Sequence, residues 1–245
     1  MRFDVITIFP ELFAPFMQTG INRRAFEAQA DGSKLVDLRF TNPRDFADGN
    51  YRRTDDRPFG GGPGMVMMAE PLARCVEAIH AERAAPAPCP VVLFSPIGIQ
   101  FNHSQVQQWS DSQGAILVCG RYEGLDQRFI DQFVTHQVSL GDFVLSGGEI
   151  AAMALLDAVA RLQPGVLGDA DSHAQDSFNP ALGGLLDCGH YTRPEVWRQA
   201  MVPPVLLSGH HADIESWRTA QRLALTQQLR PDLLSSAAPG PSKSA

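Results

Sequence analysis

The sequence predicts an α/β fold, a mostly parallel sheet followed by a small helical C-terminal domain. Three observations carry that prediction. Strand-like and helix-like runs alternate through the first 165 residues, which is the signature of strands joined by crossover helices. Glycine-bearing loops follow strand-like runs near Ser95, Gly120 and Gly141. After Gly168 the periodicity stops in a stretch rich in Asp, Ser, His, Asn, Pro and Gly.

The elements follow in order. Residues 3–9 read as a strand interrupted by Asp4 and stopped by Pro10, and residues 10–29 as a helix that tolerates Pro10 near its start. Residues 35–40 alternate, with Val36, Leu38 and Phe40 on one face and Asp37 and Arg39 on the other. A helix is expected over 71–83, a short buried strand over 91–94, a loop over 95–101 and a helix over 103–110. A second buried strand covers 115–119 and runs straight into Gly120; a helix over 125–133 and an extended segment over 134–140 come next. The helix over 149–162 is ended by Pro164. Residues 169–184 read as a mobile linker, residues 185–235 as a helical domain with helices over 194–201 and 212–229, and 236–245 as a disordered tail. The first domain is thus 1–168.

Composition narrows the function. Of 245 residues 44% are hydrophobic and 19% charged, enough to bury a core and too apolar for global disorder. The longest apolar runs, such as 150–156, fall far short of the roughly 20 residues of a membrane span. The N-terminal strand does not read as a secretory signal. Cys75, Cys89, Cys119 and Cys188 share no zinc-type spacing, and the histidines are scattered, so free thiols in a reducing cytoplasm and no structural zinc are expected. A net charge of −7 argues against a protein that coats nucleic acid non-specifically. It is compatible with a local basic face at Arg39, Arg44, Arg52, Arg53 and Arg57, for which a solvated loop is the plainer account.

Five motifs carry chemistry. Asp55-Asp56-Arg57-Pro58-Phe59-Gly60-Gly61-Gly62-Pro63-Gly64-Met65 concentrates glycines that are entropically unfavourable unless the backbone must approach something or turn widely. It lacks the Gly-Lys-Ser/Thr of a phosphate loop, which removes a nucleotide-dependent enzyme from consideration. Cys119-Gly120-Arg121-Tyr122-Glu123-Gly124 opens space at a strand end and sets opposite charges beside it, or forms a surface ion pair. In residues 139–149, Ser146 and Glu149 read as a capping box, while Gly141, Gly147 and Gly148 with Leu140, Phe143 and Leu145 fit a backbone wrapped around a flat ring. Arg161 and Asp176-Ser177-Phe178 are individually bland: a helix-end arginine suits the dipole, and Asp-Ser is a common turn. Residues 184–194, with His190, Tyr191, Thr192 and Arg193, and residues 202–209 suit base stacking and phosphate contact, or a packed interdomain loop.

These segments, in this order, resemble the bacterial tRNA (guanine-N1)-methyltransferase family over nearly the whole chain apart from the tail. The matching stretches are 55–68, 118–124, 141–149, 164–168, 176–178 and 185–208. The resemblance implies a trefoil-knotted domain of the SPOUT class, against the general rule that chains do not knot. It implies a pocket for S-adenosylmethionine formed by Ser95, Pro96 and Gly98, by Gly120, Tyr122 and Glu123, and by Leu140, Gly141, Asp142, Phe143, Val144, Leu145, Gly147 and Gly148. It implies tRNA contacts at Arg57, Gly61, Gly62, His190, Arg193 and Ser208. The implied catalytic residues are Asp176, a base for the N1 proton of the guanine just 3′ to the anticodon, and Arg161, which stabilises charge on O6. A cytoplasmic homodimer with sites at the subunit interface, and a need for magnesium without any ligand pattern in the sequence, complete what the resemblance implies; neither DNA nor membrane is an expected partner. Ile97 and Ile99 stand where the family commonly has polar or basic residues, Phe143 replaces a common tyrosine, and Gly189 a common proline. The rival reading is a catalytically silent RNA-binding protein on the same fold, against which stands the presence of both Asp176 and Arg161.

Overall fold

The computed structural model describes residues 1–83, 85, 87–168 and 173–236. The chain divides into two compact units, Met1–Leu167 and Gly168–Ala245. In chain order the first unit contains β1 (Arg2–Ile6), α1 (Phe13–Gln18), α2 (Arg23–Phe26), β2 (Asp37–Thr41), β3 (Asp55–Asp56), β4 (Val66–Met67) and α3 (Ala69–Arg83). It continues with β5 (Val91–Gln100), α4 (His103–Ser110), β6 (Ile116–Val118), α5 (Gln127–Phe133), β7 (His136–Ser139) and α6 (Glu149–Arg161). Five strands form a sheet in the order β2-β1-β6-β5-β7, every pairing parallel, as the alternation of strands and helices predicts.

Strand alternation builds the two cores. Phe3 and Val5 of β1, Leu117 of β6, and Val92 and Phe94 of β5 point to one face, where they meet Phe13, Phe26, Val106, Trp109 and the Ala152–Leu155–Leu156–Val159 stripe of α6. Ile6, Ile116, Val118, Val91 and Leu93 point to the other, against Leu72, Cys75, Val76 and Ile79 of α3 and Phe129 of α5. A parallel sheet covered by helices on both sides must bury both residue parities, which is why these strands read as continuous apolar runs.

Three expectations need correction. The helix expected over 10–29 is broken: a 3-10 turn at Pro10–Leu12 leads into α1, Thr19 is extended, Gly20 takes a left-handed φ of 67°, and α2 starts at Arg23. The break lets Phe16 and Phe26 pack at a tilt of 56°, with ring centroids 5.5 Å apart. All of the loop expected over 95–101 except Phe101 belongs to β5, which leaves its register and returns. Phe94 and Ile99 both pair with Val138, so the residues between them form an outward bulge. The N-terminal capping box on α6 is absent: Gly148 is the N-cap, with no side-chain cap bond, and Glu149 is the first helical residue.

The second unit contains β8 (Val196–Trp197), β9 (Ala200–Met201), α7 (His211–Leu229) and α8 (Asp232–Ser236). Here lies a fourth correction. Residues 194–201, expected to be helical, form an antiparallel hairpin, Val196 opposite Met201 and Trp197 opposite Ala200. Arg198 and Gln199 both take left-handed φ values of 47° and 72°, the two-residue turn whose twist matches paired strands. The described part of the expected mobile linker is folded locally: 3-10 turns cover His173–Gln175 and Pro180–Leu182, and buried Asn179 donates to the His173 carbonyl at 2.9 Å. Residues 169–172, and all of the expected tail except Ser236, lie outside the described residues. Around α7, buried Arg222 binds Glu215 at 2.7 Å and Asp187 at 3.3 Å, and the Thr226 hydroxyl accepts from the Leu186 amide at 2.9 Å. No helix among the described residues is long and apolar enough to cross a membrane.

Candidate active site

The carboxyl ends of β5, β6 and β7 share one edge of the first unit, the place where open parallel sheets bind ligands. The loops that leave them enclose a cavity of about 390 Å³. All the residues expected to hold S-adenosylmethionine line this cavity except Gly98 and Asp142. Sequence reasoning missed Leu125, Ile130 and Val138, which add apolar lining. Their apolar character in strands and in α5 marks them equally well as core, so nothing in the sequence singled them out.

Gly98 has a different task. A Cβ there would lie 2.5 Å from the backbone of Gln137 and Val138, so the β5 bulge lies flat on β7 only if residue 98 lacks a side chain. Gly148 makes a similar contact within the cavity wall. Its Cβ would lie 2.7 Å from Cys119 Cα, and its amide donates to the Gly120 carbonyl at 3.0 Å. The loops after β6 and β7 are thereby held backbone against backbone. Ser139 completes the turn after β7: its hydroxyl accepts from the Gly141 amide at 3.2 Å, and Phe143 N–H donates to the Gly141 carbonyl at 2.9 Å. Leu140, Phe143 and Leu145 supply the apolar part of the wall.

The charges beside Gly120 are not a surface ion pair between neighbours. Arg121 turns away from Glu123 and binds Glu149, with Nη2 2.8 Å from Oε2 and Nε 3.1 Å from Oε1. Glu149 is only 1% exposed. The buried Thr7 hydroxyl, just past β1, donates to Glu149 Oε1 at 2.8 Å, Arg121 also reaches the Ser146 carbonyl at 3.2 Å, and its guanidinium lies 4.6 Å from the centre of the Phe9 ring. Glu149 thus exchanges the expected capping role for an ion pair that ties three strand ends together. Burial first, and the Glu149 charge second, push the Cys119 thiol well above its ordinary range, so it stays a neutral thiol behind the lining residues. Burial, then the Asp55 carboxylate, also raises the Tyr122 phenol.

The glycine-rich segment is the loop of the β3–β4 hairpin. Its tip carries Phe59, fully exposed, beside Gly60, Gly61 and Gly62, whose left-handed φ values any other residue would resist. Its root is stitched to the cavity wall: Glu123 N–H donates to the Met65 carbonyl at 3.0 Å, and Met67 N–H to the Gly124 carbonyl at 2.9 Å. Arg57, Gly61 and Gly62 are exposed on this hairpin.

Arg161 is the last residue of α6 in the first unit, and Asp176 follows the His173–Gln175 turn in the second; both are partly buried. Asp176 shares its turn with Phe178, whose φ is 70°, and the Asn179 amide donates to the Asp176 carbonyl at 3.3 Å. In the second unit, exposed His190 lies 2.9 Å from Asp187, Arg193 is exposed, and the Ser208 hydroxyl closes a 3-10 turn on Val205 at 2.8 Å. Among the described residues no three His, Cys, Asp or Glu side chains gather as a metal site would require.

Comparison with known proteins bears on this arrangement. Residues 1–236 match the family described as tRNA (Guanine-1)-methyltransferase TrmD. The chain is 72% identical over 237 residues to a tRNA (guanine-N(1)-)-methyltransferase of Albidiferax ferrireducens, covering 97% of this chain and 93% of that protein. It is 68% identical over 239 residues to the protein of the same name from Polaromonas sp., covering 97% and 90%. For that of Bordetella pertussis the identity is 55% over 236 residues, covering 96% and 90%.

Proposed function

From the premise that the chain belongs to the tRNA (guanine-1)-methyltransferase family, we propose that it transfers the methyl group of S-adenosylmethionine to N1 of the guanine immediately 3′ to the anticodon of tRNA. The observation that carries this reading is the cavity at the ends of β5, β6 and β7, walled by the loops that bear the family's motifs. Its size and lining fit the group. The apolar wall of Leu140, Phe143 and Leu145 suits a flat purine, and the backbone of Gly120–Tyr122 and Gly147–Gly148 offers polar groups at close range. When bound, S-adenosylmethionine supplies an electrophilic methyl group whose departure leaves a neutral thioether.

The chain's own residues handle the rest. Guanine N1 carries a proton and is a poor nucleophile until that proton leaves. In this proposal the Asp176 carboxylate accepts it, negative charge moves toward O6, and the Arg161 guanidinium stabilises that charge. No cysteine nucleophile is needed, in keeping with the buried, protonated Cys119. The exposed glycine hairpin with Arg57, and His190, Arg193 and Ser208 of the second unit, are assigned to the tRNA. The family's knotted topology and its cytoplasmic homodimer, with each site completed by the partner chain, belong to the same proposal. The described residues do not gather a magnesium site, and no step is assigned to that ion.

The test is mass spectrometry of tRNA incubated with labelled S-adenosylmethionine, wild type beside Asp176→Asn in single turnover. The variant should bind the methyl donor and lose roughly 10²–10⁴-fold in rate, the scale of a general base. A near-normal single-turnover rate refutes the role of Asp176. A chain that binds tRNA and leaves it unmethylated refutes the activity itself.

A further inference from the structure

The cavity presents an uneven charge. Of the residues that line it, only Arg121 and Glu123 carry formal charges. Arg121 is cancelled from behind: Glu149 does not line the cavity, is 1% exposed, and holds the guanidinium through contacts of 2.8 Å and 3.1 Å. Glu149 is also the first residue of α6, where the positive end of the helix dipole faces the same loops, so its carboxylate offsets two positive sources together. The hydrogen bond from Thr7 at 2.8 Å fixes the carboxylate from the far side. Glu123, by contrast, is solvent-exposed on the wall, its side chain lying against the position a Gly64 Cβ would take. Among the described residues that line the cavity, the uncancelled charge is therefore that of Glu123.

We propose that Glu149 is a positioning residue that sets the sign of the cavity lining: by cancelling Arg121 it leaves the lining one net negative charge, and so biases the site toward a cationic sulfonium relative to the neutral thioether that remains once the methyl group has gone. This rests on the reading of the cavity as the S-adenosylmethionine site. The two ligands share their adenosine and amino-acid parts and differ by one methyl group and one unit of charge. A defect in shape therefore weakens both, while a defect in charge weakens the cation selectively. After methyl transfer the same field no longer favours the bound molecule, which assists exchange for a new donor.

The experiment titrates S-adenosylmethionine and S-adenosylhomocysteine into the full chain by calorimetry, for wild type, Glu149→Gln and the pair Glu149→Gln with Arg121→Met. Glu149→Gln leaves the arginine unopposed in a poorly solvated wall, and should weaken the sulfonium ligand roughly tenfold more than the thioether. The double variant removes both charges and should return the ratio of the two affinities to within about threefold of wild type. Removing a buried pair together perturbs folding less than removing one partner, so the double variant tests the idea even if the single variant does not fold. Equal weakening of both ligands by Glu149→Gln, or a ratio in the double variant displaced roughly tenfold from wild type, overturns the proposal. A wild-type chain that binds neither ligand overturns the cofactor reading first, and this proposal with it.

Discussion

Replacing Gly148 by alanine adds one methyl group where the loops after β6 and β7 touch. The new Cβ would lie 2.7 Å from Cys119 Cα, 3.1 Å from Gly120 N and 3.3 Å from Cys119 C, all inside the 3.4 Å at which ordinary contact begins. All three are backbone atoms, so no side-chain rotation relieves the overlap. The φ of residue 148 is −78°, which alanine adopts freely, so the penalty is purely steric. Overpacking of this kind costs about 1–3 kcal/mol. Separating the loops also stretches the 3.0 Å bond from Gly148 N–H to the Gly120 carbonyl, worth about 1 kcal/mol. The sum, about 2–4 kcal/mol, corresponds to a melting temperature lower by roughly 4–16 °C in a chain of this size. The same movement displaces Gly120 and Gly147 in the cavity wall, so S-adenosylmethionine affinity should fall at least roughly tenfold, about 1.4 kcal/mol. Calorimetric melting and ligand titration read both effects. Gly168→Ala is the control, because a Cβ there meets nothing within 4 Å. A Gly148→Ala chain that melts within about 2 °C of wild type and binds normally would show that the loops are not held this tightly.

Two further outcomes follow from charge. Burial, with the Asp45 carboxylate second, pushes the Cys75 thiol from 9.0 up to about 12. The folded chain keeps this proton while the unfolded chain releases it above pH 9, so the contribution is fully present below the ordinary thiol range and is lost as pH rises toward 12. Urea unfolding should show wild type losing roughly 1.4 kcal/mol per pH unit above pH 9 more than Cys75→Ala; parallel pH profiles refute it. Affinity for tRNA should fall with added salt despite the net charge of −7, because the proposed phosphate contacts run through exposed arginines such as Arg57 and Arg193; a flat filter-binding response from about 50 to 200 mM salt refutes that contact.

Much of the fold was legible in local pattern. Buried strands such as β6 read as apolar runs, α4 spans the predicted 103–110, and α3 and α6 start or end within two residues of the predicted bounds. The misreadings share a cause. Residues 194–201 have a helix-compatible composition, yet Arg198 and Gln199 adopt left-handed φ values that composition gives no sign of. The bulge in β5 depends on Gly98 meeting the backbone of β7, a contact between segments separate in sequence. Ser146 and Glu149 satisfy the spacing of a capping box, but a carboxylate that finds a buried guanidinium and a hydroxyl gains more than one that caps solvent-facing amides.

By itself the sequence determined the class of fold, the order of the parallel strands and their helices along the chain, and the family, because strand and helix periodicities and motif spacings are local properties of the chain. Only the tertiary structure decided which charges face the cavity. Thr7 and Glu149 are 142 residues apart, and Arg121 and Glu149 are 28 apart. Their meeting follows from a sheet order that sets the ends of β1 and β6 side by side and from the return of the chain after β7 onto the loop after β6, and the electrostatic sign of a site depends on such distances rather than on the residues' presence.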